Sequence, residues 1–230
     1  MKEHLQHLDT RPLPLEREWT VEGVPVLRLT GTLPQPVGKP SRLTRRIQRF
    51  YQHQARCYLR YCQRFLLPLA EEAHRVALAA SAPLPCFRAE LGYRVTYNEG
   101  GLWSLYTQSR EITLPGQTLL TRRGDTWDLT AGYPIALSAF FPARAPWRRQ
   151  LLALAAEDIQ RQERSGVARY DPDWRKKLRR RFNPRNYYLT DEGLTYFFPM
   201  YTIAPAAEVI PAFTLPYGQR DLLPPGERRK

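Results

Sequence analysis

Cysteine, histidine and long apolar runs are all scarce in this sequence, and each scarcity removes a class of function. The three cysteines, Cys57, Cys62 and Cys86, are odd in number, so reduced thiols are expected and not a disulfide scaffold. On a helix the five-residue step from Cys57 to Cys62 turns through about 140°. The two thiols therefore fit neither a disulfide nor the C-x-x-C spacing of a metal site. The histidines are His4, His7, His53 and His74. Two sit near the N-terminus and two in one helical segment, leaving none in the glycine-turn loops where catalytic groups concentrate. A Ser-His-Asp type of acyl transfer thus lacks its base. His4 and His7 have the i, i+3 spacing of a metal pair but no cysteine nearby, so no metal and no cofactor is expected. No Gly-Lys-Ser/Thr ending of a phosphate loop occurs. No run approaches the roughly 18 apolar residues of a membrane span. The opening MKEHLQHLDTRPLPLEREWT lacks the apolar heart of a signal peptide. As written, the chain is expected in the cytoplasm.

Negative charge is also in the minority: 35 Lys and Arg face 22 Asp and Glu, for a net +13 and a pI near 10.0. Such a balance points to an anionic partner, whether nucleic acid, anionic lipid or an anionic wall polymer. Most of the excess is arginine, whose planar fork suits phosphate and carboxylate, although a GC-rich genome also favours arginine.

What is present is a patterned globular chain of 230 residues, 43% hydrophobic and 12% aromatic, enough to bury a core. Residues 1–20 read as a polar lead-in, with the fold starting near Val21, a short strand at Val24–Leu29 and a Pro/Gly-rich loop after it. Ser41 is an N-cap for a helix of about ten turns in which Pro68 introduces a kink. At about 100° per residue, Arg42, Arg45, Arg46, Arg49, Arg56, Arg60 and Arg64 form one stripe. His53 falls within it, a poor setting for a metal ligand. Ile47, Tyr51, Tyr58, Phe65, Leu69 and Val76 form the opposite, core-facing stripe. Beyond Pro85 the period becomes two: Tyr93, Val95 and Tyr97 alternate with Arg94 and Thr96. The NEGG tetrapeptide, Asn98 to Gly101, then supplies a hairpin turn, and short strands follow.

Leu151, Leu152, Ala155 and Ile159 at helical spacing, with Gly166 as the stop, predict a second helix. DPDWRKKLRRRF predicts a short basic third helix capped by Asp171 or Asp173. The closing segment reads as a central hairpin about TDEG, then a turn or single helical turn at APAAEVI, then an edge strand AFTLPY. The expected fold is α+β: a mainly antiparallel sheet with one long amphipathic helix and shorter helices packed on it.

Carboxylates occur in pairs at Glu71/Glu72, Asp171/Asp173 and Asp191/Glu192, each explained by capping, turn formation or divergent helical directions. Tyr187, Tyr188, Phe197 and Tyr201 follow the basic helix, an order that suits stacking of single-stranded bases as well as a central strand. The anion-binding candidates are Arg45, Arg49, Arg56 and Arg60 on the long helix and Lys177 and Arg180 on the short one.

Three stretches, YRVTYNEGGLWSLYTQSREIT, WDLTAGYPIALSAFFP and YYLTDEGLTYFFPMYTIAPAAEVIPAFTLPY, resemble the paired domains of unknown function in the bacterial anti-sigma-V factor RsiV and the peptidoglycan deacetylase PdaC. The resemblance runs from Val24 to Tyr217. It implies a PdaC-like part over 21–142, an RsiV-like part over 143–220 and a basic tail over 221–230. Its signature positions are Tyr97, Asn98, Gly101, Asp128, Gly132, Asp191, Gly193, Tyr201, Pro205, Pro216 and Tyr217, with structural roles expected. In that family the double domain is extracytoplasmic and is not itself the known catalyst; in RsiV it is a lysozyme receptor, and in PdaC it precedes a separate deacetylase domain. The resemblance therefore implies lysozyme as a partner, whereas a net charge of +13 opposes a strongly cationic lysozyme over a Debye length of about 8 to 10 Å.

The leading expectation is a noncatalytic recognition module for a protein or anionic ligand. One alternative is an enzyme or accessory domain on cell-wall glycan, which requires two carboxylates about 5 to 9.5 Å apart. Another is nucleic-acid or polyanion binding through a basic helix face, with steep salt dependence.

Overall fold

The computed structural model describes residues 6–38, 41–114, 117–205 and 210–229. In chain order it contains strands β1 (Thr10–Val21) and β2 (Val24–Pro36), a long helix, strands β3 (Phe87–Glu99), β4 (Leu102–Leu114), β5 (Gln117–Asp128) and β6 (Tyr133–Pro134). Helices α3 (Trp147–Arg164) and α4 (Trp174–Arg181) follow, then strands β7 (Tyr187–Leu189), β8 (Gly193–Phe197) and β9 (Ala212–Pro216). The long helix has two α-helical parts, α1 (Arg42–Tyr61) and α2 (Leu67–Ala79), joined without a break through a π-helical turn at Cys62–Leu66. The first six strands form one sheet in sequence order, and β7–β8–β9 form a second. The α+β class stands, and antiparallel pairing dominates. The β2–β3 pair is parallel from Leu27↔Phe87 to Gly31↔Leu91, because the long helix returns the chain to the same end of the sheet.

The lead-in expected over residues 1–20 is, from Thr10 onward, an edge strand. Its twelve residues pair with β2 around a turn at Glu22 and Gly23, both at positive φ. Pro12 and Pro14 hide this strand from sequence reading, yet an edge is where a strand tolerates proline. The loop expected after Leu29 is likewise the second half of β2, held by β1.

The long helix departs from its expected register at the π turn. Ser41 caps α1 as expected, in a reciprocal capping box with Thr44, and Ile47 and Tyr51 are buried. Beyond them the buried positions are Cys62, Leu66, Ala70 and His74. Phe65, Leu69 and Val76, expected in the core, are exposed. Successive steps of four drift by about 40° on an ordinary helix, and the wider turn takes up that drift. It also suits Pro68, at the start of α2, which has no N–H to give. In the π turn the Leu67 N–H reaches Cys62 O.

The chain forms two compact units. One holds Asp9–Tyr93 and Thr107–Leu120; the other holds the residues up to Leu8, Arg94–Tyr106 and those from Thr121 onward. In the first, Val26, Leu27, Leu29, Phe87 and Ala89 pack against Cys62, Leu66 and Ala70. In the second, Leu151, Ala155 and Ile159 of α3 and Trp174 and Leu178 of α4 pack on Leu189, Tyr196, Phe198, Phe213 and Leu215. At about 1.5 to 3 kcal/mol for each large buried side chain, this ring-rich core dominates that unit. Among the described residues no helix is long and apolar enough to cross a membrane.

Candidate functional site

The eight residues of α4, WRKKLRRR, fix where charge can gather. Trp174 and Leu178, one turn apart, are buried and anchor the helix. At about 100° per residue, Lys176, Lys177, Arg180 and Arg181 fall on one half of the helix circumference and Arg175 and Arg179 on the other. The first half forms one wall of a cleft of about 660 Å³; Asn183, Asn186 and the turn Pro199–Thr202 complete it. A hydrogen bond of 3.0 Å from Asp171 N to Ile203 O ties the approach to α4 to the far wall. Asn186 is held on both sides, its N–H donating to Asn183 O and its carbonyl accepting from Phe197 N. Tyr201 stands at φ +60°, left-handed backbone that a bulky residue seldom adopts, with its side chain half exposed.

Electrostatically the cleft sets four cations against Asp173, the one carboxylate among its described lining. Lys177 is committed to Asp171 (2.6 Å) and Asp173 (3.0 Å). The hydrogen bond it donates to Asp171, then that to Asp173, raises its ammonium above the ordinary value. Lys176, Arg180 and Arg181 have no acidic partner among the described residues. Asp173, one of the two expected residues, is the N-cap of α4 but makes no side-chain capping bond, because both carboxylates turn to Lys177. Three unpaired cations and two amides facing one concavity can hold a phosphate or carboxylate.

The other candidates lie elsewhere. Arg45, Arg49, Arg56 and Arg60 are exposed along α1, in the other unit. Arg45 and Arg56 bond back to Ser41 O and Gln52 O, and Arg60 bonds to Cys57 Sγ. Sequence reasoning missed Lys176, Arg181, Asn183 and Asn186; the basic octet was legible, but the facing turn lies about twenty residues on. Tyr187, Tyr188 and Phe197 are buried, so of the rings read for base stacking only Tyr201 is open to solvent. His4 and residues 206–209, the middle of the expected APAAEVI turn, lie outside the described residues. Among the described residues no three His, Cys, Asp or Glu side chains gather as a metal-binding group.

Several of the signature positions make contacts within the fold. Asn98 is not part of the turn, which Gly100 and Gly101 make at positive φ. Its amide instead grips the Leu8 backbone, accepting from Leu8 N at 3.0 Å and donating to Leu8 O at 3.1 Å, while Tyr97 packs on the core. Asp128 accepts from the N–H groups of Thr130 and Ala131 and from Arg228, and Gly132 closes that turn at φ +77°. Thr190, and not the exposed Asp191, bonds to Gly193. Tyr217 donates to Thr190 O. Pro216 ends the edge strand β9 and Pro205 is exposed. The basic tail is partly built in: Arg228 pairs with Asp128, and Arg229 bonds to Ala139 O and Ser138 O.

No curated protein matches this sequence. Solved structures that share its fold include two described as DUF3298 family proteins. A member of the DUF3298 family from Bacteroides fragilis is 14% identical, with 94% of this chain and 92% of that one covered and a TM-score of 0.66. A DUF3298 family protein from Pseudomonas aeruginosa is 18% identical, with 97% and 98% covered and a TM-score of 0.60. Residues 138–218, which carry α4 and both walls of the cleft, match the family model described as a protein of unknown function, DUF3298.

Proposed function

We propose that the chain is a noncatalytic recognition module that takes a hydrophilic phosphate- or carboxylate-bearing ligand in the α4 cleft. The observation that carries this reading is the set of cations left unpaired on its wall, Lys176, Arg180 and Arg181, opposite the amides of Asn183 and Asn186. Guanidinium forks bind oxyanions bidentately, and a cleft of about 660 Å³ lined by charged and amide side chains suits a small ligand. The resemblance to the RsiV and PdaC double domain supports recognition over catalysis, since in those proteins that domain is not the known catalyst. The ion pairing of Asp173, the one carboxylate among the described lining, supports the same choice, because glycoside hydrolysis works with two.

Calorimetric titration with tripolyphosphate tests the proposal. Binding should weaken at least tenfold in Lys176→Glu/Arg180→Glu, weaken steeply with salt, and persist in Arg49→Glu/Arg56→Glu. Loss in the α1 variant with retention in the α4 variant moves the site to the helix stripe and overturns the assignment.

A further inference from the structure

The other half of α4 borders a second groove, of about 880 Å³, between α3 and α4. It shares no residue with the cleft and differs from it in chemistry. Its floor is apolar: the half-buried Trp147 and Leu152 with Ala153 and Ala156, whose small side chains leave the depth open. Its rim is cationic, made of Arg148, Arg149, Arg175 and Arg179, with no acidic residue among the described lining. None of the four is ion-paired among the described residues. Two are held by rings instead: Arg175 lies 4.3 Å from the Trp174 centroid and Arg148 lies 5.6 Å from that of Phe182. Arg148 also donates to Arg179 O at 3.1 Å. A guanidinium resting on a ring keeps its N–H edge available for an oxyanion.

We propose that this groove binds a free single-chain anionic amphiphile, a long-chain carboxylate, with its chain along the alanine floor and its head group in the arginine rim. Apolar floor and cationic rim match the two ends of such a molecule. Size favours it over a protein partner. The groove is bounded by α4, whose eight residues span about 12 Å at 1.5 Å each, whereas a stable protein interface covers about 800 Å² per side. The volume lies within the roughly 300 to 1,000 Å³ of small-molecule sites.

The test is calorimetry of the full chain with monomeric laurate, beside 1-dodecanol and phosphatidylglycerol vesicles. Laurate is expected to bind, with at least tenfold weakening in Ala153→Phe, which fills the floor, and in Arg149→Glu/Arg175→Glu, which inverts the rim. Lys176→Glu/Arg180→Glu should leave laurate binding unchanged, and the rim variant should leave tripolyphosphate binding unchanged, so the two sites stand or fall separately. Arg149 and Arg175 are exposed, so that double variant keeps the test available where Ala153→Phe fails to fold. The proposal is overturned where laurate does not bind, where it binds equally to both groove variants, where dodecanol binds as tightly, or where only the vesicles bind.

Discussion

Arg228→Met should destabilise the unit that contains it by about 1.5 to 3 kcal/mol at pH 7, the usual worth of a hydrogen bond to a charged group. The pair it breaks joins residues 100 apart in sequence: Arg228 Nη2 donates to Asp128 Oδ2 at 2.7 Å, with side-chain exposures of 10% and 19%. The loss stays below the roughly 3 to 5 kcal/mol of a wholly orphaned buried charge, because Asp128 keeps the Thr130 and Ala131 N–H groups at 2.8 Å each. Asp128→Ala removes all three bonds and should cost more, and the double variant should show coupling of about 0.5 to 3 kcal/mol. Urea unfolding followed by tryptophan fluorescence measures each difference.

The pH dependence has a definite sign. Burial alone would raise the Asp128 carboxyl, but the Ala131 N–H, the Arg228 guanidinium and the Thr130 N–H together hold it below its ordinary value. Its stabilisation is therefore complete above the unfolded value of about 3.9 and fades as pH falls through the lower folded value. The gap between wild type and Arg228→Met should narrow accordingly. A loss under about 0.5 kcal/mol at pH 7, or a gap unchanged down to pH 2, refutes the reasoning.

The sheet and the buried carboxylate give two more predictions. A Cβ at Gly193 would lie 2.1 Å from Leu215 O, so Gly193→Ala must part β8 from β9; a loss of about 1 to 3 kcal/mol or more should appear as a lower urea midpoint. Burial pushes the Glu111 carboxyl up, against the 2.9 Å hydrogen bond from Tyr61. Its charged form therefore opposes folding above the raised folded value and ceases to do so below the unfolded value of about 4.3. Glu111→Gln should raise the urea midpoint at pH 7 and not near pH 4.

Local signals carried much of this fold. The spacing of Leu151, Ala155 and Ile159 placed α3, and the glycines at 100 and 101 placed the β3–β4 turn, since both report on neighbours in sequence. The strand β8 was legible as central from rings on both faces, and it lies between β7 and β9. Sequence reading failed where distant partners decide. Strand β1 carries prolines and charges that only its edge position tolerates, and the burial phase of the long helix shifts at a π turn that a fixed 100° period cannot show. Lys177 and Arg180 were singled out by charge density, but the cleft exists because residues 199–203 fold back to Asp171. Arg228 read as one more tail cation because its acid lies 100 positions earlier.

The interleaving of the two units has a consequence for synthesis on the ribosome. The unit built from Asp9–Tyr93 and Thr107–Leu120 has all its residues once Leu120 has emerged. The other must wait for Arg228, roughly 5 to 20 s later at bacterial and eukaryotic elongation speeds. During that interval Asn98, Trp103 and Trp127 are already made while their unit still lacks α3, α4 and the second sheet. A chain cut short before Arg228 would thus have all the residues of one unit and lack the closing ion pair of the other.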